Sequence, residues 1–275
     1  GYMNEMFTCC DRLRVVTLGE KFSFMGAGSE RQCSLPFLRG AGLTGLWVSS
    51  ADGGAYDCDC VPNNVSATYT AQIGFPDVAS SQWYTPGVYF CAGKGLITGY
   101  TDGEKAGLFG VGDTLTRGQL ATILWRNACP DEYAAYDPKT AKDTTGIAGS
   151  ADGMYYTAAA NWAVARGVIT GIEREGGSFD FDADGEVTFE QMVTILGRLC
   201  ATPAELEAAG SDLSAFADGD LASDWSRKYF SWAAEKGLVT GYDEPTGKYL
   251  RPHESVARER AAVVLARAFD WGILE

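Results

Sequence analysis

Apolar positions change their rhythm at about residue 74. Beyond it they recur at helical spacing in blocks of ten to thirteen residues, separated by Gly- and Asp-rich stretches. Three of these blocks end in a glycine, Gly95, Gly167 or Gly237, placed as a helix C-cap. Twelve residues before these glycines stand Trp83, Tyr155 and Trp225, and five before them stand Phe90, Trp162 and Trp232. A spacing of seven is close to two helical turns, so both rings face one side of each helix. The inner rings are expected in the core. The outer rings stand at the exposed starts of the helices, where core and contact roles are both open.

A second kind of block opens with a cap. Thr116 with Gln119 three residues on predicts a capping box and a helix through Leu120, Ile123 and Leu124 to about Asn127. Thr188 with Gln191 opens the corresponding helix through Met192, Val193, Ile195 and Leu196. The third opens near residues 255–260, where Ala257 replaces the capping Thr and Ser255 is the alternative cap. Thr202-Pro203-Ala204-Glu205 predicts a short linking helix, with residues 131–143 as its polar counterpart between the first two repeats.

The blocks form a repeat. Gly95-Leu96-Ile97-Thr98-Gly99-Tyr100, Gly167-Val168-Ile169-Thr170-Gly171-Ile172 and Gly237-Leu238-Val239-Thr240-Gly241-Tyr242 begin 72 and then 70 residues apart. From the second glycine of each motif, Thr116, Thr188 and Ala257 lie 17, 17 and 16 residues on. One supersecondary unit is therefore used three times.

Residues 1–73 have another character. Gly26-Ala27-Gly28, Gly40-Ala41-Gly42 and Gly53-Gly54 separate short apolar runs such as Arg14-Val15-Val16-Thr17-Leu18 and Gly45-Leu46-Trp47-Val48. Short runs between turn residues favour strands, and residues 65–71 alternate most clearly. The expected organisation is a small, irregular β-rich segment over 1–73, then repeats over 74–130, 131–201 and 202–275.

Composition narrows the function. The 275 residues are 46% hydrophobic, enough for a packed core, and no run of about 18 or more apolar residues occurs, so no membrane-spanning segment is expected. A formal net charge of −14 argues against bulk binding to nucleic acid or an anionic membrane, which both demand a basic face. An anionic ligand must therefore meet a local basic site. Five of the eight cysteines, Cys9, Cys10, Cys33, Cys58 and Cys60, fall in the first quarter, followed by Cys91, Cys129 and Cys200. A disulfide staple and a zinc site both remain open there, although Cys-Cys and Cys-x-Cys without a Cys-x-x-Cys or His partner carry little metal signal. Cys91 falls on an apolar helical face and is expected in the core.

Phe-x-Asp, then Trp or Tyr, then Gly-[Leu/Ile/Val]-[Ile/Val]-Thr-Gly, a Phe-bearing loop and Thr-Arg-x-[Glu/Gln] opening a helix resembles the S-layer homology (SLH) repeat. The resemblance covers residues about 74 to 270 in three copies. It implies a mainly α fold, in which three tandem helix-loop-helix repeats form a pseudo-threefold, three-pronged spindle with a central three-helix bundle. It also implies a secreted, non-catalytic module at the cell surface. Such modules tether proteins to a cell-wall polysaccharide, often a pyruvylated secondary polymer attached to peptidoglycan.

The residues suit that chemistry. A helix N-terminus offers unpaired N–H groups and the positive end of the macrodipole, and a guanidinium there can take a pyruvyl carboxylate bidentately. Arg117 and Arg258 stand at this position, whereas the second repeat has Phe189, so its pocket is expected to be degenerate or to use another contact. Trp83 and Trp225 can stack on a sugar face, with Tyr155 a weaker counterpart. Asp77 and Asp218 match the Phe-x-Asp acid, which hydrogen-bonds sugar hydroxyls or fixes a turn; in the second repeat Asp143 is the nearest candidate. Gly99 and Gly241 turn the chain and let a ligand approach the backbone. The bland alternative for Arg117 and Arg258 is a solvated first-turn arginine, which the macrodipole disfavours by a few tenths of a kcal/mol.

Other chemistries are less well supported. Asp180, Asp182 and Asp184 with Gly185 resemble the start of an EF-hand calcium loop, but the twelfth position is Gln191 rather than a bidentate Glu. They are a weak calcium candidate, and no cofactor is expected. His253 is the single histidine, and no acid pair recurs at a spacing that suggests a glycosidase, so no enzymatic activity is expected. The competing function is a protein-interaction or self-assembly module with decayed pockets, its partner held by residues 1–73.

Overall fold

The computed structural model describes residues 7, 10, 13–24, 35–36, 43–56, 58, 60–79, 81–101, 103–270 and 272–274. Cys9, Cys33 and the glycines of 26–28 and 40–42 lie outside them. Two compact units form, Gly1–Gly112 and Asp113–Glu275. The division falls inside the expected first repeat, for a reason visible in each unit.

In the first unit, β1 (Val15–Leu18), β2 (Leu43–Ser49), β3 (Ala55–Tyr56) and β4 (Ala67–Ile73) form an antiparallel sheet in the order β1-β4-β2-β3. The three apolar runs singled out above are thus strands. Along β4 the alternation is literal: Ala67, Tyr69 and Ala71 are buried while Thr70 faces out. Register pairs Val16 with Tyr69 and Trp47 with both Ala71 and Tyr56. Trp47, Tyr69, Phe24, Leu35 and Val61 fill the core, and the Trp47 indole N–H bonds the Pro36 carbonyl at 3.1 Å.

Helix α1 (Thr85–Lys94) ends on Gly95 at φ 72°, the left-handed C-cap expected of it, and packs on β2. The loop after it joins the sheet side as well. Gln72 Nε2 donates to the Gly107 carbonyl at 3.4 Å, and the Phe75 and Phe109 rings meet edge to face at 5.4 Å. Asp77 ties the loop down by accepting from the backbone N–H groups of Phe109, Gly110 and Val111 at 2.7 to 2.9 Å.

The second unit holds α2 (Arg117–Ala128), α3 (Pro130–Ala134), α4 (Thr157–Ala165), the hairpin β5 (Ile172–Glu173) with β6 (Phe179–Asp180), α5 (Phe189–Cys200), α6 (Pro203–Ala209), α7 (Asp224–Glu235), the hairpin β7 (Tyr242–Glu244) with β8 (Gly247–Tyr249), and α8 (Arg258–Asp270). The capping boxes at Thr116/Gln119, Thr188/Gln191 and Thr202/Glu205 are all formed, each worth about 1 kcal/mol. At α8 the alternative cap is not used: the Ser255 hydroxyl donates to Glu186 at 2.5 Å. The second and third Gly- and Asp-rich loops are short hairpins. Their strands of two or three residues are too brief to show alternation in sequence.

The segments that precede α2, α5 and α8 bond one another in a ring. The Leu115 N–H donates to the Val256 carbonyl, Val187 N–H to Leu115, and Val256 N–H to Val187, at 2.8 to 2.9 Å. All three side chains are buried. The ring gathers the N-termini of these helices, which explains why α2 belongs to the second unit. Close helix pairs run between successive repeats, α2 with α4 and α5 with α7. Gly197 permits the second pairing, since a Cβ there would lie 2.5 Å from Tyr229 Cδ1.

Candidate functional site

The ring carries the start of each helix into the territory of the next repeat. Arg117 N–H donates to the Gly185 carbonyl and Gly118 N–H to Ala183, both at 2.9 Å, so α2 begins against the loop of the second repeat. There the Arg117 side chain is 3% exposed, with its Nε–H donating to the Phe181 carbonyl at 2.7 Å and its guanidinium 5.8 Å from the Phe181 ring centroid. Burial lowers its pKa to about 10, against the opposing pull of Asp182 and Asp180. It is a cation at neutral pH. Among the described residues no carboxylate lies within pairing distance, so Arg117 is not the solvated first-turn arginine of the bland reading.

A cavity of about 380 Å³ opens beside it. Its wall combines Arg117 from the first repeat, the Thr170-Gly171 backbone and Arg198 from the second, and Trp225 from the third. Arg198 Nη1–H donates to Thr170 Oγ1 at 3.1 Å, which fixes a second guanidinium at the rim. Gly171 is at φ 85°, and a Cβ would press on Ile147, Phe179 and the Asp180 carbonyl at 3.1 to 3.2 Å. Trp225 is 47% exposed at the start of α7. Thr194 is 2% exposed, and its hydroxyl has no hydrogen-bond partner although it lines the cavity. Two cations against one carboxylate, Glu173, with an orphan hydroxyl, an open indole and the apolar Ile169 and Ile195, suit a hydroxyl-rich anion with an apolar face.

Of the expected site residues, Arg117 and Trp225 meet in this groove. Trp83, 53% exposed, lies in the first unit, as do Gly99 and Asp77. Arg258 is buried at the start of α8, where its N–H donates to the Asp113 carbonyl at 2.8 Å. Asp218 accepts from the Leu250 and Arg251 N–H groups at 2.7 Å, so it pins the third loop as Asp77 pins the first. Gly241, at φ 72°, stands against Phe216 and the Tyr249 carbonyl. The inner rings Trp162 and Trp232 are buried, as expected, while Phe90 is half-buried.

At the second repeat, where Phe189 replaces the arginine, the cavity is lined by Arg117 instead. It takes its arginine from the first repeat across the ring, which spacing along one repeat does not reveal. Arg198 carried an unread signal: Arg126, Arg198 and Arg267 recur nine residues after positions 117, 189 and 258. In the acidic loop the carboxylates of Asp180 and Asp182 face an arginine. Arg174 pairs with Asp180 at 3.2 Å and Asp182 at 3.1 Å, and no group of three or more potential metal ligands gathers among the described residues.

Residues 74–121 and 215–259 match the S-layer homology domain. The two matches cover the first and third repeats. SLH domains are binding modules that mediate cell-wall anchoring, and they imply association with the cell surface. A search of curated proteins returned no match. Among the described residues no helix is long and apolar enough to cross a membrane.

Proposed function

We propose that this chain is a non-catalytic, secreted anchoring module that holds an anionic cell-wall polysaccharide in the groove between Arg117 and Trp225. Residues 131–201 are in this reading a divergent third SLH repeat, and the three together make a pseudo-threefold unit. The observation that carries the proposal is the pair of guanidiniums, Arg117 and Arg198, facing a cavity with a half-exposed indole and an unpartnered threonine hydroxyl. A carboxylate such as a pyruvyl ketal would take the Arg117 N–H groups left over from Phe181, and the sugar ring would lie against Trp225. The surrounding charge of −14 makes the local cations selective for an anion that fits rather than for polyanions at large.

Co-sedimentation with purified cell-wall sacculi tests this. Wild type should pellet with sacculi that keep their secondary polymer and its pyruvyl groups and stay soluble with stripped sacculi. Arg117→Ala and Trp225→Ala should each weaken binding by about tenfold or more. Wild type left in the supernatant with every wall preparation would refute the proposal.

A further inference from the structure

The third repeat lacks the arginine that its neighbour uses. Its loop receives position 189, one residue inside α5, just as the second repeat's loop receives position 117, and that residue is Phe189. The ring geometry is the same: Phe189 N–H donates to the Glu254 carbonyl and Glu190 N–H to Pro252, both at 2.9 Å. A guanidinium is nevertheless present there. Arg260, from the first turn of α8, donates through Nη2–H to the Leu250 carbonyl at 2.6 Å. Leu250 occupies the place of Phe181, six residues before the ring residue of its repeat. Arg260 Cζ lies 3.4 Å from the Phe189 ring centroid, stacked on the side chain that replaced the arginine, and 4.8 Å from that of Tyr242.

The two grooves therefore differ by an exchange. The first sets Arg117 beside Gln191; the second sets Phe189 beside Arg260, at the position matching Gln191. Arg260 is 7% exposed, burial lowers its pKa to about 10, and among the described residues its side chain's sole hydrogen bond is to Leu250. Among the described residues no carboxylate pairs with it. Both first-turn arginines of α8 oppose the helix dipole, and with Ala257 and Arg260 at the cap and third positions the capping box of α2 and α5 is given up. Stability alone favours Gln at 260, the residue that caps α2 and α5.

A second ion pair is reversed in the same place. Asp182 and Arg251 are equivalent, at φ 54° and 53°, and the Arg174–Asp182 pair of the first groove becomes Glu244–Arg251 at 2.6 Å in the second. Arg267 Nη1–H meets Thr240 Oγ1 at 3.3 Å, as Arg198 meets Thr170.

We infer that the third repeat carries a second anion-binding groove in which Arg260, stacked on Phe189, supplies the cation that Arg117 supplies to the first. The inference rests on the anionic-glycan reading above and adds to it a second site with a different cation set, Arg260 with Arg267, and hence a different preference for the sugar carrying the carboxylate.

Isothermal titration of the full chain with a pyruvyl-ketal hexose methyl glycoside reads both sites as stoichiometry. Wild type should bind at least two equivalents. Arg117→Ala and Arg260→Gln should each lose one, and the losses should add in the double variant. Arg260→Gln restores the capping residue of the other repeats, so its thermal midpoint should match or exceed wild type. Phe189→Arg combined with Arg260→Gln returns the arginine to the register of Arg117 and should recover the lost equivalent. An unchanged stoichiometry in Arg260→Gln, with one equivalent still lost in Arg117→Ala, overturns this inference and leaves the first groove standing. Wild type that binds no probe overturns both.

Discussion

Arg117 shows what a binding residue costs at the scale of one side chain. Its lowered pKa means that folding works against its charged form at every pH below about 10, and the penalty fades only as pH rises from there toward the ordinary guanidinium range. At neutral pH the penalty is present in full, offset in part by the Phe181 carbonyl and ring. Arg117→Met keeps the volume and removes the charge. We expect its unfolding free energy to lie within about 1 kcal/mol of wild type or above it, since uncharged replacements of buried ions are often neutral or stabilising. Binding to sacculi should weaken in the same variant by about tenfold or more, as in Arg117→Ala. A fall of about 3 kcal/mol or more in denaturant unfolding would show that Arg117 is there for the fold.

At the scale of elements, caps and pins hold the repeats in register. Thr116, Thr188 and Thr202 cap their helices, and Asp77 and Asp218 each spend a whole carboxylate on loop N–H groups. Glu190 does a similar job between repeats, accepting from Ser223 N–H and from the Ser223 and Ser226 hydroxyls at 3.1 to 3.2 Å at the start of α7. Glu205 links α6 to α7: Lys236 Nζ donates to it at 2.6 Å, and with the Thr202 N–H and hydroxyl this holds its carboxyl down to about 2. Being lowered, that group contributes stability that is present in full above its ordinary 4.5 and lost as pH falls through about 2. An NMR titration of the Glu205 carboxyl carbon should show a midpoint near 2, and Lys236→Met should move it toward 4.5. A wild-type midpoint at the ordinary value would show that the α6–α7 link does not form in solution.

At the scale of the second unit, the hydrogen-bonded ring ties together the segments that precede α2, α5 and α8. Leu115, Val187 and Val256 come from three different repeats, and each N–H depends on the preceding repeat's carbonyl, the first taking that of the third. Opening one therefore breaks two of the three bonds. In native-state hydrogen exchange these amides should be among the slowest and should share one free energy of opening, equal to that of global unfolding of residues 113–275. Three distinct protection levels, one per repeat, would mean that the repeats open singly and that the groove between them is not a fixed object.

Much of this was legible in the residues. The recurring Gly-x-x-Thr-Gly motif, the capping boxes, the buried inner rings and the strands of residues 15–18, 45–48 and 67–71 are local matters, written in period and spacing because helix and strand geometry repeat over a few residues. Arg117 and Trp225 are singled out as candidates from the same source. What spacing does not encode is which repeat's arginine enters which repeat's groove. That was decided by the backbone ring, whose bonds join residues about 70 positions apart and whose partners are carbonyls with no side-chain signature. The same crossing turned Phe189 from a lost arginine into the surface on which Arg260 stacks, a relation that exists only once three helix starts meet at one place.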